Sequence, residues 1–205
     1  LPEPGYLEAI KEIAHKNDAF LIFDEVSCGW RYRIGGIQEA VGVTPDMTAL
    51  AKAMGNGYAM GAVVGSREVM APAGRMFISS SYWSDNVGLT AAITTIRELK
   101  RRGSEQFFEE YGEKVRAATN DAIANAGLSG RCTGLHVNVN ISLDLPDPSQ
   151  GPAVATLFVQ EMARRGIHCH MGFKANMAHT DEDLQITARA ATEALQVVKA
   201  GLDKG

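Results

Sequence analysis

The sequence has no long apolar run, no excess of basic residues and few cysteines. No hydrophobic stretch approaches the roughly 18 residues that a membrane-spanning helix needs. Lys and Arg number 20 against 24 Asp and Glu, a net charge of −4. With no basic cluster larger than Lys100-Arg101-Arg102, a nucleic-acid surface is not expected. Leu1-Pro2-Glu3-Pro4-Gly5 has neither a basic start nor an apolar stretch, so no signal peptide is expected there. The three cysteines, Cys28, Cys132 and Cys169, are odd in number and widely spaced. They read as reduced thiols of a cytoplasm-like compartment rather than as a disulfide framework. There is no Gly-x-Ser-x-Gly elbow. His168-Cys169-His170, taken with Cys132 and His136, matches no zinc spacing, and no metal site is expected. Gly55-Asn56-Gly57-Tyr58-Ala59-Met60 lacks a glycine three places after Gly57 and precedes a strand instead of following one, which argues against a dinucleotide fingerprint. Repeats and low-complexity tracts are also missing.

What is present is the composition of a core-forming globular chain, 45% hydrophobic and 21% charged. Leu7, Ile10 and Ile13 recur at helical spacing after Pro4-Gly5, and Asn17-Asp18 ends that helix. Ala19 to Val26 is apolar until its acids, the pattern of a parallel strand buried on both faces, with Asp24 at its carboxyl end. Ser27 to Gly36 reads as a loop and Ile37 to Val41 as a short helical turn. Met47 to Ala51 reads as a strand that delivers Lys52, and Ala59 to Gly65 as another. Ser66 can cap a brief helix. Phe77 to Tyr82 has β-like character. Ser84 or Asp85 can cap a long helix over Val87–Arg101, which Gly103 stops.

A composition shift follows. Phe107, Phe108, Tyr111, Val115, Ala118, Ala122 and Ile123 form one stripe of a long amphipathic helix. Leu135 to Leu143 alternates strictly and reads as one half-exposed strand. Val154, Leu157-Phe158 and Met162 mark a helix, Ile167 to Met171 a short strand. Thr180-Asp181-Glu182-Asp183 has capping-box form and opens a last helix. Two parts are expected: an α/β part over residues 1–101 and a smaller α+β part over 102–205.

Two residues stand out chemically. Lys52 lies in Ala49-Leu50-Ala51-Lys52-Ala53-Met54 with no other charge nearby, a setting that predicts a desolvated, nucleophilic amine. Asp24 closes the apolar run Phe20-Leu21-Ile22-Phe23. An amine able to form a Schiff base and a strand-end carboxylate are what pyridoxal phosphate requires of a protein. Val26, two residues beyond Asp24 on the expected strand, projects to the same face and can pack against the cofactor ring. Arg31 and Arg33 lie in the loop between these features and could meet a carboxylate.

Leu21-Ile22-Phe23-Asp24-Glu25-Val26, Gly29, Arg31, Gly35-Gly36 and Gln38 are followed by Gly42-Val43-Thr44-Pro45-Asp46, Leu50-Ala51-Lys52 and the glycines at 55, 57, 61 and 65. Together they resemble the class III pyridoxal-phosphate-dependent aminotransferases. The likeness is to the glutamate-1-semialdehyde aminomutase-like branch, whose C-terminal motif is similar to Ala178-His179-Thr180-Asp181-Glu182-Asp183-Leu184. The resemblance implies an α/β fold, PLP-transferase fold type I. It has part of a large domain, a mostly parallel sheet with helices, and a small α+β C-terminal domain. It also implies a homodimer with shared active sites, acting on a small amine or amino acid and a keto or aldehyde acceptor. Lys52 would be the Schiff-base lysine, Asp24 the partner of the pyridine nitrogen and Val26 the residue packed on the ring. Ser81, in Ser79-Ser80-Ser81-Tyr82-Trp83, takes the place of a phosphate-binding threonine of the neighbouring subunit. Ala51-Lys52 departs from the family's Gly-Lys, and Ala59-Met60-Gly61 from its Pro-x-Gly. Family members run to more than twice this length, so the chain is expected to be a C-terminal half. Transamination, an intramolecular aminomutase reaction and a non-catalytic fragment are the three functions open at this point.

Overall fold

The computed structural model describes residues 2–83 and 85–204, arranged in two compact units, Leu1–Glu105 and Gln106–Gly205. The first begins with helix α1 (Tyr6–Lys16) and strand β1 (Ile22–Asp24). Helix α2 (Ile37–Val41) leads to β2 (Met47–Leu50). Strand β3 (Ala62–Gly65) and helix α3 (Arg67–Met70) follow, and α4 (Asn86–Arg101) comes last. The sheet order is β1-β2-β3, with β1 parallel and β3 antiparallel to β2. Ser66 accepts the Val69 N–H and so caps α3, and Asp85 accepts the Val87 N–H at the start of α4. Ser84, the alternative cap for α4, lies outside the described residues.

Asp46 fastens the β1–β2 ladder to its surroundings. Its carboxylate accepts the Leu21 N–H at 2.7 Å and bonds His15 Nε2 at 3.0 Å, while its carbonyl accepts the Ser66 N–H at 3.1 Å. One residue thereby joins α1, the entry to β1 and the exit from β3. The His15 hydrogen bond, ahead of that from Leu21, holds the Asp46 carboxyl below the usual carboxylate range.

Three expectations for this unit are corrected. β1 is only three residues long and is not buried on both faces, since Phe20 and Ile22 stay more than half exposed. The opposite face is the covered one: Phe23 is half-buried and its β2 partner Thr48 is 2% exposed. β3 begins at Ala62, not Ala59: Gly55 to Tyr58 is spent on a turn and bend, and the β2 ladder, which ends at Leu50, gives residues 59–61 no partner. Residues 77–82 form loop and turn instead of strand, with Phe77 96% exposed; a β-like composition has no ladder to join there.

The second unit takes up α5 (Ser104–Asn125), then β4 (Gly130–Leu135) and β5 (Asn138–Leu143). Helix α6 (Gly151–Arg164), β6 (Gly172–Lys174) and α7 (Asp181–Leu202) complete it. The three strands are antiparallel in the order β4-β5-β6. The apolar stripe of α5 is buried as its spacing predicts: Phe108, Tyr111, Val115, Ala122 and Ile123 all lie inside. Ile123, Ile141, Phe158, Met162, Leu195 and Val198 share one core. Thr180 and Asp183 close a reciprocal capping box at α7, a feature that stabilises a helix by about 1 kcal/mol.

The single strand expected over 135–143 is a hairpin. Leu135 ends β4, His136 and Val137 turn, and Leu135 pairs with Asn138. The strand expected at Ile167–Met171 lies later, at Gly172–Lys174, preceded by one bridge from His170 to Gly172.

Candidate active site

The site is built on the parallel pair. Asp24 pairs with Ala49, and the Glu25 N–H donates to the Ala49 carbonyl at 2.9 Å, so both strands run out at the same edge. Ligand sites of open α/β sheets form at that carboxyl edge. Asp24 is the last residue of β1. Lys52 stands three residues beyond Ala49 and opens a short 3-10 turn, Lys52–Met54. Its φ of +37° is left-handed, a conformation that costs a side-chain-bearing residue about 1–2 kcal/mol. The turn is anchored by buried Met54, whose N–H donates to Ala51 at 3.0 Å.

Lys52 Nζ donates to Ser27 Oγ at 2.5 Å. Asp24 Oδ1 accepts the Val26 N–H at 3.0 Å, which folds the chain back just past the strand. Ser27 therefore joins the two strand ends: it is three residues from Asp24 and touches the lysine.

Beneath this exposed pair lies a buried carboxylate. Glu25 is 1% exposed. Its Oε2 accepts the Ile37 N–H at 2.7 Å, and its carbonyl accepts the Gly29 N–H at 2.9 Å. Glu25 thus grips both ends of the 27–36 loop. A Cβ at Gly36 would lie 2.7 Å from both Glu25 carboxylate oxygens. Burial, then the Glu25 charge, pushes the neighbouring Cys28 thiol up, which makes it a poor nucleophile.

The predicted residues come together in part. Asp24, Val26 and Lys52 gather at one sheet edge. Val26 is half-buried but lies in the turn after β1, so strand alternation does not set its direction. Lys52 is exposed, not desolvated: its apolar neighbour Met54 turns inward while the lysine leaves the sheet edge. Ser81 lies exposed in the turn before α4 and takes no part in the hydrogen bonds around Lys52 among the described residues. Arg31 donates to its own loop at the Ser27 carbonyl, and Arg33 lies 5.0 Å over the Tyr32 ring. Ser27 and Glu25 carry the geometry but gave no sequence signal of their own: a lone serine in a loop has no period, and a glutamate beside an aspartate reads as surface charge. In the second unit the His168 and His170 rings stand 6.3 Å apart.

The family model of the class III aminotransferases matches residues 1–201. This chain belongs to the class III aminotransferases. It is 35% identical over 203 residues to the 3-aminobutyryl-CoA aminotransferase of Cloacimonas acidaminovorans, covering 97% of this chain and 49% of the relative. Over 213 residues it is 33% identical to the glutamate-1-semialdehyde 2,1-aminomutase of Syntrophobacter fumaroxidans, again covering 97% and 49%. Among solved structures, an omega-transaminase from Sphaerobacter thermophilus superposes with a TM-score of 0.84 at 28% identity, covering 96% of this chain and 48% of that one. A transaminase with PLP bound gives 0.85 at 25% identity, with 98% and 50% covered. The fold of this class III chain is therefore that of the transaminases, and it spans about half the length of the relatives it matches.

Proposed function

We propose that the chain carries the lysine–aspartate part of a pyridoxal-phosphate-dependent aminotransferase, which moves an amino group from a donor amine or amino acid to a keto or aldehyde acceptor. The observation that carries this reading is the registered parallel pair, which presents a primary amine and a carboxylate at one sheet edge. These donors fit the cofactor. An exposed amine on a short turn can reach an aldehyde, and a strand-end carboxylate suits a protonated ring nitrogen. When bound, the cofactor supplies the aldehyde and an electron-accepting ring.

The protein's part is then positional and acid–base. Lys52 Nζ is the nucleophile and afterwards the base that carries a proton at the substrate's α-carbon. Asp24 Oδ2 would hold the proton on the ring nitrogen while Oδ1 stays tied to the Val26 N–H. Val26 offers apolar surface to the ring, and Ser81 a hydroxyl to the phosphate of a neighbouring subunit's cofactor. In this reading the first 101 residues belong to the large cofactor-binding domain and 102–205 form the small domain. The enzyme works as a homodimer in a reducing, cytoplasmic compartment, consistent with free thiols at Cys28, Cys132 and Cys169. The aminomutase relatives favour one second reading, in which the same residues return the amino group to the same carbon skeleton.

Borohydride trapping tests the proposal. The chain is mixed with pyridoxal phosphate, reduced and digested, and the added mass is mapped. Label concentrated on the Lys52 peptide, lost in Lys52→Ala, is expected; label spread evenly over the surface lysines refutes it.

A further inference from the structure

Resting on the lysine assignment above, we infer that Ser27 is a positioning residue for the Lys52 amine. Three observations meet at this hydroxyl. Ser27 Oγ accepts from Lys52 Nζ. The backbone on its N-terminal side is fixed by Asp24 Oδ1, which accepts the Val26 N–H. On its C-terminal side the Ser27 carbonyl accepts from Arg31, and Glu25, 1% exposed, holds Gly29 and Ile37. The hydroxyl is therefore presented by a turn whose backbone is pinned at each end, not by a freely moving loop.

A lysine side chain has four rotatable carbons and surrenders much rotamer freedom when its amine is held in one place. Lys52 is exposed, so apolar packing does not restrain it. The serine does so instead. The hydroxyl oxygen suits either protonation state, since it accepts an N–H from an ammonium and from a neutral amine alike. Anchored through one N–H, the neutral nitrogen directs its lone pair away from Ser27, where an incoming carbonyl can meet it. In the capture of an aldehyde, that lone pair forms the C–N bond, the C=O π pair moves to oxygen, and the oxygen leaves as water with both protons of the amine.

The test is the rate at which added pyridoxal phosphate labels Lys52, quenched with borohydride at intervals and read peptide by peptide. Lys16, exposed on α1 and paired with Glu12 at 3.6 Å, is the internal reference. Ser27→Ala is expected to lower the Lys52-to-Lys16 rate ratio about threefold to tenfold, the range expected for one lost hydrogen bond. Ser27→Thr, which keeps the hydroxyl, is expected to stay within about twofold of the unaltered protein. Thermal melting of the variants is followed in parallel, and unchanged melting with a lowered ratio separates positioning from folding. Equal ratios in the unaltered protein and Ser27→Ala overturn the role of Ser27 and leave the lysine assignment standing, as does a loss in Ser27→Thr as deep as in Ser27→Ala. Failure of Lys52 to label in the unaltered protein overturns both.

Discussion

Gly36→Ala probes the buried support of the site. Gly36 has φ +85° and ψ 177°, a region that residues with a side chain almost never occupy. Forcing alanine there costs about 1–3 kcal/mol in backbone strain. The new methyl would also stand 2.7 Å from both Glu25 oxygens, well inside contact distance, and Glu25 has no solvent to retreat into. Overpacking of that kind costs about 1–3 kcal/mol. A total near 3 kcal/mol corresponds to roughly two orders of magnitude in a local opening equilibrium. The amide to watch is Ile37, whose N–H is satisfied by Glu25 Oε2 at 2.7 Å. Its hydrogen exchange, measured by NMR, is expected to accelerate about 100-fold in Gly36→Ala. Glu25→Ala/Gly36→Ala separates the two causes: it removes the clash but keeps the backbone strain, so the two substitutions must be non-additive. An Ile37 amide that exchanges at the same rate in Gly36→Ala refutes the reasoning, because the loop would then not depend on the Gly36–Glu25 contact.

Phe158→Ala should cost about 3–5 kcal/mol, because Phe158 is wholly buried in the second unit; Ile22→Ala, at a position 54% exposed, should cost about 1 kcal/mol or less. Urea titrations compare the two, and equal losses would refute the assignment of the core to the second unit. Acid should destabilise the second unit through Glu161, whose carboxyl is held below its ordinary value of 4.5 chiefly by the Arg165 hydrogen bond. A lowered folded value means the contribution is complete above 4.5 and is lost as pH falls through that lower value. Melting temperature plotted against pH should fall more steeply below 4.5 in the unaltered protein than in Glu161→Gln; parallel curves would contradict this.

Much of the helical framework is legible in the sequence because its signals are redundant. Helix α5 has an unbroken apolar stripe, and α7 has both a stripe and the Thr180–Asp183 box. The strands are less legible. Alternation from Leu135 to Leu143 continues straight through the turn at His136 and Val137, so one period describes two paired strands. β6 falls at Gly172 because the backbones approach there: an added Cβ would lie 2.2 Å from the Val139 carbonyl oxygen. Such closeness leaves no periodic trace. For the site, Lys52 and Asp24 announce themselves as charges closing apolar runs, whereas the exposure of Lys52 depends on how much surface covers the sheet. Sequence period reports which faces are apolar, not whether anything lies upon them.

That distinction bears on how the site is held. Among the described residues, both clusters of buried apolar side chains belong to the second unit, while Phe20, Ile22, Val63, Phe77 and Trp83 of the first are exposed. The proposed lysine–aspartate site nevertheless sits on the first. Hydrophobic packing is non-directional and in any case sparse there, so it cannot place an amine to within a hydrogen-bond length. Directed bonds do that work instead: Asp46 fastens the strand ends, Glu25 the loop, Asp24 the turn, and Ser27 the lysine. Each anchor is one residue making a few polar contacts, and three of the four are carboxylates. A site built this way loses its geometry one contact at a time, so substitutions at Glu25 or Ser27 should disturb the position of Lys52 well before they unfold the chain.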